Sequence, residues 1–185
     1  MIRSELLTKR LELLRALAPK AIVIAVLVNP DNPKAENDTM EAQAAARELG
    51  LQLHILNARS ARDLDTAFAT LAKQGADALL VTNDVFFYGR QRQLIALAAR
   101  HKIPASYVAR EFAEAGGLMS YGSSVPDTWR QVAIYAARIL KGAKPADLPV
   151  MQPSKFEFLI NLKTARALGL KIPRALVAFA DEMIE

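Results

Sequence analysis

Cysteine is absent from the 185-residue chain. That one absence excludes disulfide frameworks, thiol nucleophiles and cysteine-ligated zinc, and leaves His54 and His101 as the only strong nitrogen ligands for a metal. Long apolar runs are missing as well. The longest, residues 21–28, is bracketed by Lys20 and Asn29-Pro30, well short of the ~18–20 residues that a membrane-crossing helix needs. Charge of one sign is scarce: 24 Lys+Arg against 19 Asp+Glu leave +5, spread over helices instead of gathered in a block. Arg90, Arg92, Arg100 and Lys102 crowd one helix without interleaved aromatics, so nucleic acid is not expected as a partner. Residues 1–5 hold no apolar signal core. The expectation is either a cytosolic protein or a chain whose front is missing.

What is present belongs to a globular protein. With 52% hydrophobic and 23% charged residues the chain can bury a core without disulfide or metal staples. Its length suits one domain and perhaps a half more. Leu6, Leu7, Leu11, Leu14, Leu17 and Ala18 recur at three- and four-residue steps with Lys9, Arg10, Glu12 and Arg15 between them, which predicts an amphipathic helix stopped by Pro19. Residues 21–28 are β-branched and uninterrupted, the pattern of a strand covered on both faces of a parallel sheet. A helix over 35–49, a strand over 51–56, a helix lined by Leu64, Ala67, Phe68 and Leu71 and a strand over 76–82 continue the beat. It runs on through a helix near 90–101, strands near 104–108 and 118–121, and a helix over about 126–140. Strands alternating with helices imply an α/β fold: an open parallel sheet of about five strands with helices on both faces.

A different texture follows. Residues 143–149 read as a linker, 155–160 as a strand, Asn161 as the cap of a helix ending at Gly169, and Pro173 as the start of a last short helix. The predicted division is therefore 1–142 as one lobe and 143–185 as linker and tail.

In an open parallel sheet, ligands sit beyond the carboxyl ends of the strands. This rule selects Asn29 after the first strand, Thr82, Asn83 and Asp84 after the third, Tyr107 with the Arg110-Glu111 pair after the fourth, and Ser120, Tyr121, Gly122 and Ser123 after the fifth. Their donors, acceptors and rings suit a small polar or amphipathic molecule. Enzyme motifs are not found at the same ends. The turn at 29–33 lacks the glycines of a dinucleotide site, and neither a Walker-type loop nor a Gly-x-Ser-x-Gly elbow occurs. No cofactor, metal site or catalytic residue is expected. His54 and His101 read as structural or solvent-facing, Asp63 and Asp65 as helix N-terminal charge, and Asp181 with Glu182 as a solvated tail.

Several stretches together resemble a known family: residues 9–19 (KRLELLRALAP), 26–30 (VLVNP), 75–80 (GADALL), 110–122 (REFAEAGGLMSYG), 139–149 (ILKGAKPADLP) and 156–173. They are similar to solute-binding proteins of ABC uptake transporters, in the tryptophan/tyrosine-type or uncharacterised substrate-binding subgroup. The resemblance implies one lobe of a type I periplasmic binding protein, not an enzyme, that presents a small solute, with an amino acid as one option, to an ABC permease. It implies a periplasmic or membrane-anchored extracytoplasmic location. It also implies that residues 1–142 are the second of two lobes, and that 143–185 cross back to a first lobe this chain lacks. The tail's Phe156, Phe158, Leu159, Ile160 and Leu162 then need cover, so the tail is expected to fold onto its own lobe or onto another copy, making a homodimer, and weak solute binding by this chain alone is expected. The alternatives from other classes are a cytosolic ligand sensor or dimerisation module, and a flavodoxin-like enzyme or response module.

Overall fold

Helix α1 (Ile2–Leu17) forms because Leu7, Leu11, Leu14 and Leu17 fall on one stripe, and all four are buried. The computed structural model describes residues 2–153 and 155–185, the side chains of 2–5 excepted; Met1, where the leader-free start was expected, lies outside the described residues. Strand β1 (Val23–Val28) follows, then α2 (Ala35–Leu49), which Gly50 ends in the left-handed conformation at φ 66°. Strand β2 (Gln52–Asn57) leads to α3 (Ala61–Lys73), opened by a reciprocal capping box between Ser60 and Asp63. This pairing, with main-chain donors from Arg59 and Ser60, holds the Asp63 carboxyl below its ordinary range.

Strand β3 (Ala78–Val81) gives way to a short helix α4 (Val85–Gly89) and then α5 (Gln91–Arg100). Strand β4 (Ala105–Tyr107), α6 (Arg110–Glu114), β5 (Met119–Ser123) and α7 (Val125–Leu140) complete the first 140 residues. After a single 3-10 turn at Pro145–Asp147 come β6 (Phe156–Asn161), α8 (Leu162–Ala167), α9 (Arg174–Phe179) and β7 (Glu182–Ile184). No described helix is long and apolar enough to cross a membrane.

The strands form one sheet in the order β2-β1-β3-β4-β5-β6-β7. The first five are parallel to one another, as expected. Two apolar layers cover the sheet. Ile24, Val26, Val28 and Leu80 face α1 and α2, whereas Ala25, Leu27, Leu79 and Val81 face α3 and α5, so both sides of β1 and β3 are buried by simple alternation.

Seven strands replace the expected five because the tail joins the same sheet. β6 lies antiparallel beside β5, in register from Met119 opposite Ile160 to Ser123 opposite Phe156, and β7 pairs with its other side. Without β6 the edge of β5 would present unpaired main-chain groups beside apolar side chains. Phe158, Leu159 and Ile160 are 0%, 1% and 0% exposed, so the strand finds its cover within the chain. The Asp181-Glu182 pair, expected as a solvated tail, is tied down: Asp181 accepts from the Phe158 amide at 2.8 Å, and Glu182 accepts from Arg110 at 2.9 Å.

Helix α7 is different. Trp129, Val132, Ile139 and Leu140 form an apolar stripe that stays exposed, with Trp129 at 68% and Leu140 at 87%. The Tyr135 hydroxyl, which donates to the Pro149 carbonyl, links this helix to the linker. Two substitutions separate the two environments. Phe158→Ala is expected to cost about 3–5 kcal/mol in urea denaturation, whereas Trp129→Lys is expected to stay within about 0.5 kcal/mol of the parent.

Candidate functional site

Because β1, β3, β4 and β5 run in one direction, the loops that follow them open on one edge of the sheet. A cleft of about 920 Å³ lies there, within the ~300–1,000 Å³ range of small-molecule sites. Its walls come from six segments. The loop after β3 contributes Thr82, Asn83, Asp84 and Val85, and α4 adds Tyr88. The turn after β4 contributes Val108, Ala109 and Arg110, and the end of β5 contributes Gly122 and Ser123. Helices α1 and α2 with their approaches supply Leu6, Leu7, Arg10, Asn32, Lys34 and Asp38, and the tail supplies Met151, Gln152, Pro153, Phe156 and Glu157.

Hydrogen bonding fixes the loops after β1 and β3 to each other. Asp84 Oδ1 accepts from Asn29 Nδ2 at 3.0 Å and caps α4 by accepting from the Phe86 amide at 2.8 Å. Its other oxygen accepts from Asn32 Nδ2 at 2.7 Å. The Thr82 hydroxyl donates to the Leu27 carbonyl at 2.9 Å, so its one proton is committed to the neighbouring strand. Asn29 and Asn32 also fold the turn at 29–34 back on itself by accepting from the amides of Asp31 and Lys34.

The expected site residues therefore divide. Thr82, Asn83 and Asp84 are on the cleft wall. Asn29 stands behind them and holds Asp84. Tyr107, Ser120 and Tyr121 are placed elsewhere, because they lie within strands and their side chains leave the sheet toward its two faces. Tyr107 is 1% exposed and stacks on Phe112 at 4.6 Å. Burial pushes its phenol upward, and its hydroxyl has no partner among the described residues. Ser120 is 1% exposed, and Tyr121 stacks on Phe156 at 5.9 Å. Glu111 is not on the wall, whereas Arg110, Gly122 and Ser123 are.

Two glycines make the close approaches possible. A Cβ on Gly122 would sit 1.9 Å from the Val108 carbonyl oxygen, and one on Gly117 would sit 2.7 Å from the Tyr107 ring. The REFAEAGGLMSYG stretch is thus constrained by packing at the rim and beneath it.

Sequence reasoning placed Arg10 on the polar face of α1, but it is 2% exposed on the floor of the cleft. Its Nη2 donates to the carbonyls of Val81 and Ser106, each at 2.7 Å, and its Nε donates to Ser106 Oγ at 3.3 Å. Burial pushes the guanidinium down to about 10, against the raising pull of Asp38 and Tyr88. Folding therefore disfavours the charged form, and a guanidinium still charged at neutral pH carries that desolvation cost. The signal was present in the spacing: Arg10 stands three residues after Leu7, four before Leu14 and seven before Leu17, on the buried stripe itself. Tyr88, four residues after Asp84 and one turn along α4, was also missed. It presents its edge to Phe112 at 5.5 Å, and partial burial raises its phenol.

Arg110 is the opposite case. It is paired with Glu114 at 2.8 Å, Glu157 at 3.2 Å and Glu182 at 2.9 Å; the bond to Glu114 above all, and then that to Glu182, raises its guanidinium. Ser124 Oγ donates to the second oxygen of Glu157 at 2.6 Å. This cluster ties α6 to both tail strands at the rim of the cleft.

The family described as ABC transporter substrate binding protein matches residues 3–184. No curated protein matches the chain. Among solved structures, the ABC domain in complex with L-Trp from Streptococcus pneumonia is 26% identical with a TM-score of 0.87, and the match covers 97% of this chain and 60% of that one. A conserved domain protein from Vibrio cholerae is 26% identical with a TM-score of 0.86, the match covering 96% of this chain and 60% of that one. A ligand-free, open substrate binding protein with adhesive properties from Clostridium difficile shares the fold at 23% identity and a TM-score of 0.68, over 89% of this chain and 56% of that one. The chain thus spans about three-fifths of the length of these structures.

Removing the carboxylate that joins the two loops tests this wall. Asp84→Ala leaves two asparagine amides and one helix N-terminus without their acceptor. The expected loss is about 1–2 kcal/mol of stability in urea denaturation; a neutral result would contradict the bracing role.

Proposed function

The chain belongs to the family of ABC transporter substrate binding proteins, and on that premise we propose that it is a solute-binding lobe. It captures a small polar or amphipathic solute at the carboxyl ends of β3, β4 and β5. The observation that carries this reading is the cleft of about 920 Å³ at that edge, where hydrogen-bonding groups and the Tyr88 ring face one space. A solute entering it exchanges its water shell for fixed donors and acceptors, and the bracing of the walls lowers the ordering cost of binding.

The reading is one of capture and release without covalent chemistry. Thr82 is committed to the Leu27 carbonyl and Asp84 to three donors, so both serve as framework and not as reacting groups. An ABC permease is the proposed recipient, with the handover outside the cytoplasm. A second lobe would close on the solute from the opposite side. Two observations support that division: the chain spans three-fifths of the matched structures, and the α7 stripe is left bare among the described residues. Residues 1–142 then act as one lobe and 143–185 as the segment leading toward the other, with β6 bonded to β5 on the way.

An amino acid is the proposed solute, since the Streptococcus relative holds L-Trp. Nitrogen-labelled chain titrated with the common L-amino acids, L-tryptophan first, tests the reading by NMR. The expected outcome is binding weaker than micromolar, because one lobe supplies part of the contacts, with amide shifts concentrated at 82–84, 108–110 and 122–123. Shifts confined to residues outside the cleft, or no response to any amino acid, would count against it.

A further inference from the structure

Helix α7 has no buried residue. Asp127, Gln131 and Tyr135, spaced four residues apart, are its least exposed positions, so this row is the side turned toward the rest of the chain. The Ser124 hydroxyl accepts from the Asp127 amide at one end of the row, and the Tyr135 hydroxyl donates to the Pro149 carbonyl at the other. The opposite side is apolar and bare: Trp129 is 68%, Val132 51% and Ile139 42% exposed. The helix therefore presents its polar side inward and its apolar side to solvent, the reverse of a helix packed on its own core.

The spacing along the bare side says what fits it. Val125, Trp129, Val132, Ala136 and Ile139 alternate at four- and three-residue steps, the narrow seam by which one α-helix packs along another, and no charged residue interrupts it. A 16-residue helix without packing on that seam is marginal in water, so a second helix laid along it stabilises both.

We infer that two copies of the chain associate through α7, the helices antiparallel and each seam covering the other. Residue sizes favour a copy in this orientation. Ala133 and Ala136 are exposed near the middle of the helix, where small side chains let two helices approach, and the larger Trp129 and Ile139 stand on either side of them. An antiparallel pair centred near residue 134 sets Trp129 level with the partner's Ile139, and Val132 level with the partner's Ala136. A parallel pair would set the two Trp129 rings at one level and the two Ala136 methyls at another, crowding the first and underfilling the second. The antiparallel pair also opposes the helix dipoles and sets Asp127 level with the partner's Lys141. Its interface is isologous and closes at two copies.

This surface is distinct from the tail strand β6, whose edges are both paired within the chain. It is also independent of which solute the cleft takes. A second lobe would compete for the same seam; in a solution of the 185-residue chain by itself the copy is the partner at hand. At ordinary side-chain areas the seam and its margins expose roughly 600 Å² per copy, less than the ~800 Å² per partner of a standard interface. The expected dissociation constant is therefore roughly 10–100 µM. At the lower concentrations of urea denaturation the pair is apart, and the stability of the fold does not depend on it.

Trp129 is the single tryptophan of the chain, so its emission reports on the seam directly. The full chain is followed by sedimentation and fluorescence from about 1 to 500 µM, a range that brackets the expected constant. Mass is expected to rise from monomer to dimer, with Trp129 emission moving to shorter wavelength in step. Trp129→Lys and, separately, Ile139→Lys are expected to weaken the association by about tenfold or more. Leu140→Cys, in a chain otherwise free of cysteine, is expected to stay uncrosslinked under oxidation, because the pair holds the two thiols roughly 18 Å apart along the helix axes. A monomer throughout the range, a dimer whose Trp129 emission does not move, or a dimer that survives both lysine variants overturns the inference, and ready crosslinking of Leu140→Cys overturns the antiparallel arrangement. An emission shift that appears with phosphatidylglycerol vesicles and without self-association overturns it in favour of a lipid surface.

Discussion

Arg10 reaches from helix α1 across the carboxyl edge of the sheet and donates to the main-chain carbonyls of Val81 and Ser106, each at 2.7 Å. These carbonyls belong to adjacent parallel strands, at the point where β3 and β4 give way to the loops that wall the cleft. In a parallel sheet the last carbonyls of central strands need donors from outside the ladder. One guanidinium meets that need for both strands. The same contact fixes a charge on the cleft floor. A cation buried there bears a desolvation cost, which Asp38 across the cleft partly offsets.

The remaining walls follow from local chemistry. Asp84 joins the loop after β1 to the loop after β3 through Asn29 and Asn32, so the two move together. Gly122 lets β5 pass close to the Val108 carbonyl, which sets the rim on the far side. Arg110 closes that side by engaging glutamates from α6, β6 and β7. Such partly exposed pairs contribute little stability individually; their value is in orienting the tail strands beside the cleft.

Much of this was legible in the residues. Helix α2 occupies the expected 35–49, and β1, β2 and β3 fall within a residue or two of the uninterrupted or alternating apolar runs that signalled them. The rule that ligand groups lie past strand ends selected Thr82, Asn83 and Asp84, which lie on the cleft wall. It also selected Tyr107, Ser120 and Tyr121, which lie inside β4 and β5 and off that wall. Side chains still inside a strand point to the faces of the sheet, while those one to three residues beyond it point to the edge. The helical charge pattern hid Arg10, since charged neighbours on both sides made it look solvated even though its spacing from Leu7, Leu14 and Leu17 put it on the buried stripe. The strand in the tail was expected, and so was its return to its own lobe as one of two outcomes, but β5 as its partner was not. Pairing between segments more than thirty residues apart depends on which edge is free, and the sequence carries no local mark of that.

The central claim is that the cleft at the carboxyl edge of the sheet is where this chain takes a small solute. The most direct measurement is a crystal structure of the chain grown or soaked with L-tryptophan. The account predicts the ligand in the cleft between the loop after β3 and the end of β5. A ligand bound away from this edge would contradict it.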